Sequence, residues 1–367
     1  MVKSKPPQRV LVFCLSGLGD AVLASPALLA LAVNPDRFKL TLLTMFGSVT
    51  EYLRDQQFTD DVRLEKLLGM SKLAIFRSAW SLRREQFDIS IVPYAMNRLG
   101  YNVFSRVVGA HQRIGFRYQR QPVINLPGLN QVVINEDPAL HAVEENLRWA
   151  ALLTGVDAKN LTDELHYRYH AASDTAAADY LRQHKLDSAA PLIGIHAACN
   201  SLKNQHRRCW PASKFGEFIQ QMHRNYTGAR FLLFEGPTDV EINNAVLVAT
   251  GDSNSRVNVA KMLPMRVVAA LIRRCQLFVS NDSGLMHTAA ACKVPVAGIY
   301  GPTDSTWDKP WKTKSIIVTR GLPCSPCFYY SGHPLDCPAK LDYACVRELP
   351  VADVERAALS LLQAARA

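Results

Sequence analysis

Two α/β domains, each a parallel sheet covered by helices, are predicted by this chain, and three observations carry that reading. At 367 residues the chain exceeds what one hydrophobic core usually organises, so two domains are expected. Short β-rich runs alternate with helical patterns, the signature of parallel strands joined by helical crossovers. The alternation restarts near residue 192, so the architecture reads as doubled although no repeat is visible residue by residue.

In the first half, apolar runs at 9–15, 39–44 and 87–94 read as strands, and helical patterns cover 20–33, 71–84 and 144–154. The polar, alanine-rich stretch 171–186 reads as a helix leading into an interdomain linker that extends to residue 191. In the second half, strands are expected at 192–198, 231–236, 277–282 and 296–301 and helices at 213–225, 264–275 and 284–292. The segment 351–365 is a final helix. Two doubly wound domains would bring strand C-termini from both halves to one site.

The composition, 48% hydrophobic and 20% charged without a low-complexity block, is that of a soluble globular protein. The apolar run 10–15 is far too short to span a membrane and soon meets Asp20. Lys3, Lys5 and Arg9 before it imitate a secretory signal only superficially, so the chain is expected in the cytoplasm. The formal net charge is +10, and Arg98, Arg106, Arg113, Arg117 and Arg120, with His111, lie in a stretch without Asp or Glu. That stretch is either a solvated basic face or a contact for an anionic acceptor or the membrane surface carrying it. Nucleic acid is not an expected partner, because no helix-turn-helix, zinc-finger or aromatic RNA-binding pattern is present.

The most informative segment is Val279-Ser-Asn-Asp-Ser-Gly-Leu-Met-His287, followed by alanine-rich residues and Pro295-Val-Ala-Gly-Ile-Tyr-Gly-Pro-Thr303. An apolar run that stops at Asn281 and Asp282, turns at Gly284 and enters a helix is a strand feeding a helix N-terminus. Backbone N–H groups at Ser283, Gly284 and Leu285 with the helix dipole suit a pyrophosphate, while Asp282 and His287 suit hydroxyls. The first loop, Ser16-Gly17-Leu-Gly19-Asp20, likewise follows a strand and opens a helix, which contains Pro26. It lacks a dinucleotide-binding pattern, since Val22 stands where Gly or Ala is required.

These segments resemble glycosyltransferase family 9, the heptosyltransferases of lipopolysaccharide core synthesis. The family hallmark is Asp-Ser/Thr-Gly-x-x-His, a small-residue helix and a strand ending in Gly-Pro-Thr; its members open with Gly-Asp and a helix bearing Ser/Thr-Pro-Ala, here Ser25-Pro26-Ala27. The resemblance implies a GT-B fold of two Rossmann-like domains facing a central cleft. An acceptor-binding domain would span 1–175, a nucleotide-sugar-binding domain 186–349, and a helix at 350–367 would pack back on the first. It also implies an inverting, metal-independent transfer of heptose from ADP-heptose to an anionic lipopolysaccharide-core acceptor, with peripheral contact at the cytoplasmic face of the inner membrane as a further expectation.

Residue by residue, the resemblance makes Asp20 the general base, in an acceptor-side loop with Ser16, Gly17 and Gly19. A carboxylate at a helix N-terminus is also an ordinary cap, and a cap would keep Asp20 ionised, so the roles coexist. The loop from His196 to Pro211 resembles the family's phosphate loop, whose lysine two residues before Trp-Pro is here Arg208, with Arg207 and Lys203 near it. Arginine grips phosphate bidentately. Asp239 or Glu241 matches the ribose-binding acid, Met265 the base pocket, and Asp282, Ser283, Gly284 and His287 the diphosphate and sugar contacts. A related transferase with another nucleotide sugar or a protein acceptor, a nucleotide-sugar-binding protein without turnover, and, more remotely, a dehydrogenase are the alternatives.

Nine cysteines divide into two sets. Cys14, Cys199, Cys209, Cys275 and Cys292 read as scattered free thiols. Cys324, Cys327, Cys337 and Cys345 cluster in a Pro/Gly-rich stretch and admit a structural zinc or iron site, disulfides or unbound thiols. Similar clusters occur in part of the family, including protein-modifying heptosyltransferases with an iron-bound finger of four cysteines.

Overall fold

The computed structural model describes residues 6–119, 125–187, 190–200, 202–226, 228–329 and 334–364. The chain divides into two compact units, the first running to His166 and the second from Tyr167 to Tyr329 and from His333 onward. Each is a doubly wound Rossmann-like α/β domain, the kind of pair from which a GT-B protein is made.

The first unit contains strands β1 (Gln8–Cys14), β2 (Phe38–Thr44), β3 (Val62–Leu64), β4 (Ile89–Ile91), β5 (Gln112–Arg117) and β6 (Val132–Asn135), all parallel, in the order β3-β2-β1-β4-β5-β6. The central β1 is buried from Val10 onward because helices cover both faces, which is why it reads as an unbroken apolar run. The helix expected at 20–33 is two helices, Leu18–Leu23 and Ser25–Ala32. Pro26 lies in the first turn of the second, where a missing N–H is tolerated but a continuous helix is not. Ser25 is buried, and its Oγ accepts from the His166 amide at 2.9 Å, tying the helix start to the end of this unit.

In the second unit, β7 (Leu192–His196), β8 (Arg230–Glu235), β9 (Val257–Lys261), β10 (Leu277–Asn281), β11 (Val296–Ile299) and β12 (Ser315–Val318) form a parallel sheet ordered β12-β11-β10-β7-β8-β9. Read from the other edge, this is the strand order of the first sheet. The sequence doubling is therefore a doubling of topology.

Two boundaries differ from expectation. Helix Ala171–Gln183 does not lead into a linker; it belongs to the second unit, where Arg273 pairs with Asp174 at 2.9 Å and Tyr180 donates to the Val259 carbonyl at 3.0 Å. The final helix, Val351–Ala364, is also part of the second unit. Its Val354, Ala358 and Leu361 enter the core formed by Trp210, Phe215 and Ile299. An apolar stripe of that width buries itself against the nearest exposed sheet face, here that of its own unit.

Candidate active site

The order of the second sheet reverses between β7 and β10, and at such a switch point the two strand ends diverge and leave a crevice. His196 ends β7 and Ser283 follows β10; His196 Nδ1 and Ser283 Oγ lie 2.8 Å apart, bridging the crevice. Ser283 Oγ also meets Ser280 Oγ at 3.0 Å. On the other side of the imidazole, Nε2 is 3.6 Å from Asp239 Oδ2. Burial alone would raise the Asp239 pKa, but His196, the Gly236 amide at 2.8 Å and the Thr238 hydroxyl at 2.9 Å outweigh it and hold the carboxyl below its usual range. Asp239 is thus a fixed anion that orients His196.

Because the Ser283 hydroxyl is turned to His196 and Ser280, helix Gly284–Ala291 starts without a side-chain cap. Its first amides and the positive end of its dipole are left for an anion. Beside it, Arg208 Nη1 donates to Asp282 Oδ2 at 2.6 Å, both side chains largely buried, while Arg208 Nε is buried with no hydrogen-bond partner. His287, one turn into the helix, is also buried and its Nδ1 lacks a partner. Burial pushes its pKa down to about 4, with attraction from Asp282 opposing and Arg208 reinforcing the shift. The imidazole is neutral near pH 7. Thr303, beyond the end of the adjacent β11, has a buried Oγ1 without a partner as well. Buried polar atoms are seldom left unpaired, so Arg208 Nε and His287 Nδ1, whose side chains both interact with Asp282, make this a candidate place for a polar ligand.

The loop that carries Arg208 is held at its neck by Asn281, whose side-chain amide donates to the Ala197 carbonyl at 2.7 Å and accepts from the Trp210 amide at 2.9 Å. Inside the neck a turn over Leu202–Arg208, with Lys203 and Asn204 at φ 53° and 61°, folds the loop back on itself. Cys199 and Cys209, read from sequence as scattered thiols, are thereby brought to a Cα separation of 6.1 Å, within reach of each other. Lys203 is exposed, and its carbonyl accepts from the Leu335 amide at 2.8 Å.

In the first unit, Asp20 is half-buried in the opening turn of helix Leu18–Leu23. The N-cap position belongs to Gly17, so Asp20 is not the cap; its place near the dipole still favours ionisation. A Cβ at Gly17 would meet nothing within 4 Å, which leaves the loop open to a ligand on that side. Tyr101 donates to the Leu15 carbonyl at 3.1 Å, and its pKa is raised by burial, lowered by Arg98 and raised by Asp20. Asp20, Arg98 and Tyr101 therefore share one environment. The rest of the basic stretch is dispersed: Arg113 spends its guanidinium on the Leu129 and Ala110 carbonyls, Arg106 and Arg117 are exposed, and Arg120 lies outside the described residues.

The structure thus gathers Arg208, Asp282, Ser283, Gly284, His287 and, through His196, Asp239 at one switch point. Glu241 is exposed in the first turn of helix Val240–Thr250, and Met265 is buried with its carbonyl accepting from Tyr167 at 3.2 Å. His196, Asn281, Thr303 and Tyr101 were not assigned roles from sequence. His196 and Asn281 each stand at the polar end of an apolar run, a position that in parallel sheets faces the ligand crevice. Away from this region, Cys324, Cys327, Cys337 and Cys345 line one cavity of about 40 Å³ and are free thiols. Burial and the neighbouring thiols of Cys327 and Cys337 push Cys345 up to about 11. Among the described residues, no group of three or more His, Cys, Asp or Glu side chains is arranged to hold a metal ion.

Residues 75–333 match the model of glycosyltransferase family 9 (heptosyltransferase). The chain is 24% identical over 363 residues to lipooligosaccharide heptosyltransferase 2 of Campylobacter jejuni, covering 97% of this chain and 98% of the relative. Among solved structures, the ADP-heptose LPS heptosyltransferase II of Escherichia coli superposes with a TM-score of 0.71 at 18% identity, over 98% of this chain and 100% of that one. The iron-containing dodecameric glycosyltransferase TibC of enterotoxigenic Escherichia coli gives 0.56 at 16% identity, over 99% of this chain and 78% of that one.

Proposed function

Since the chain belongs to glycosyltransferase family 9, the heptosyltransferases, we propose that it transfers heptose from ADP-heptose, with inversion, to a lipopolysaccharide-core acceptor in the cytoplasm. The observation that carries the donor half is the uncapped start of helix Gly284–Ala291 beside the buried, incompletely paired Arg208. A diphosphate fills both vacancies. The choice of sugar is supported by the relatives, which are heptosyltransferases and in one case an ADP-heptose heptosyltransferase.

In the proposed reaction, an acceptor hydroxyl attacks the anomeric carbon while its proton passes to the Asp20 carboxylate. The new C–O bond forms as the bond to the diphosphate breaks on the opposite face, and the electron pair leaves on a phosphate oxygen. The amides at Gly284 and Leu285 and the Arg208 guanidinium meet that charge, and no step calls for a metal ion. Neutral His287 and Asp282 hold hydroxyls, and Met265 borders the base. The ribose contact falls to Glu241, because the Asp239 carboxylate is already engaged by Gly236, Thr238 and His196. An acceptor carried on lipid further implies work at the membrane surface.

A structural zinc or iron held by Cys324, Cys327, Cys337 and Cys345 belongs to the same proposal. It is supported by the four thiols lining one cavity and by the likeness to an iron-containing enzyme. The side chains as they stand do not form a ligand set, so a metal would draw them together. The transfer itself is tested by incubating the full chain with ADP-heptose and a heptose-free core lipid, with GDP- and UDP-sugars as controls. Acceptor-dependent ADP release with a heptose-sized mass gain is expected. Binding of ADP-heptose without turnover on any core lipid would reduce the protein to a nucleotide-sugar binder.

A further inference from the structure

Helix Lys72–Arg83 has two apolar faces, and only one of them is covered. Ile75, Ala79 and Leu82 pack on the core beside Phe13 and Phe104. Leu73, Phe76 and Trp80, spaced three and four residues apart on the opposite face, are 58%, 48% and 47% exposed. Phe76 and Trp80 stack with ring centroids 5.8 Å apart, and an open groove of about 320 Å³ lies between them and Arg77, Ser81 and Arg84. Such a row of large apolar side chains at a monomer's surface marks an interaction site.

Charge identifies the partner. Residues 66–84 contain five cations, Lys66, Lys72, Arg77, Arg83 and Arg84, all exposed, and no Asp or Glu. Arg83 lies over the Trp80 ring at 5.3 Å, so the cation sits at the level of the aromatic ring. Aromatic rings with cations at their rim match a bilayer interface, where rings enter the acyl boundary and cations stay among phosphates. Two copies of this face would set Arg77, Arg83 and Arg84 against their like, which disfavours self-association.

We propose that this outer face docks the protein on an anionic lipid bilayer, with Leu73, Phe76 and Trp80 inserted at the interface and Lys72, Arg77 and Arg84 on lipid phosphates. The contact is separate from the donor site and is measured without turnover, so its failure and the failure of the transferase reading are distinguishable.

The test is flotation of the full chain with vesicles of phosphatidylcholine, alone or mixed with phosphatidylglycerol. Binding to the mixed vesicles is expected to be at least roughly tenfold tighter and to weaken with salt. Replacing Phe76 and Trp80 by Ser lowers the partition coefficient by at least about tenfold. Arg77→Ser and Arg84→Ser lower it by roughly fivefold each on the mixed vesicles only. ADP affinity stays unchanged in every variant, and an unchanged thermal unfolding profile of the full chain reports that the first unit is correctly folded. Absence of binding to the mixed vesicles, variants that bind like wild type, or a dimer in sedimentation equilibrium that dissociates on Trp80→Ser would each overturn the assignment; the last would give the face to a second copy.

Discussion

Arg208→Ala separates two roles that the geometry of the Arg208–Asp282 pair combines. The pair is 2.6 Å long, with side chains only 16% and 7% exposed, so solvent screens it little. Removing the arginine leaves a buried carboxylate without its partner, a loss of about 3–5 kcal/mol in comparable pairs. It also removes a guanidinium from the proposed diphosphate site, where a charge-assisted hydrogen bond is worth about 1.5–3 kcal/mol, or roughly 10–150-fold in affinity. Calorimetric titration with ADP and denaturant unfolding measure the two effects separately. Asp282→Asn alone is expected to retain most ADP binding. In the double variant Arg208→Ala/Asp282→Asn, stability should recover because no orphaned charge remains, yet ADP binding should stay at least roughly tenfold weak. If the double variant binds ADP like wild type, Arg208 merely neutralises Asp282 and the phosphate role passes to another cation, with Lys203→Ala the next variant to titrate.

Asp20→Asn keeps the side-chain size while removing the base; turnover should fall by roughly 10²–10⁴ with ADP affinity unchanged, and near-wild-type turnover in a coupled ADP-release assay refutes the assignment. His287 titrates near 4 in the folded protein and at its ordinary 6.5 when unfolded, so below 6.5 the unfolded chain takes up the proton first. Its stability contribution is complete above pH 6.5 and is lost as pH falls toward 4, by about 3 kcal/mol. Denaturation midpoints should therefore drop more steeply over that window in wild type than in His287→Gln, and parallel curves would disprove a buried neutral imidazole. Protein purified with the cysteine cluster intact should carry about one zinc or iron per chain, lost on joint Cys324→Ser and Cys345→Ser substitution; elemental analysis that finds none removes the metal from the proposal.

The central strands were legible because burial on both faces writes them as apolar runs, as in β1 and β10. The strands missed, β3, β5, β6, β9 and β12, lie toward the edges, where short segments such as Val62–Leu64 or polar ones such as Gln112–Arg117 leave no run to read. Within the site, Asp282, Ser283, Gly284 and His287 stand close together in sequence and were found from local pattern. His196 and Asp239 were harder. His196 meets Ser283 from 87 positions away, and Asp239 proved to be an orienting anion only once the imidazole lay beside it. Lys203 was placed by proximity in sequence, but the left-handed turn at 203–204 redirected the loop and left its side chain exposed.

The Asn281 amide has a consequence for how this enzyme varies. By clasping the Ala197 carbonyl and the Trp210 amide, it makes the stretch between them a cassette anchored at its two ends to a core strand. Doubling the length of a flexible loop closed in this way costs only about 0.6 kcal/mol, far less than disturbing the strand ends would. Residues can be added or deleted within the cassette while β7, β10 and the start of the following helix keep their positions. A change in loop length is thus compatible with an unaltered Asp-Ser-Gly-x-x-His segment, and the interior of that loop becomes the natural place to graft new donor preferences.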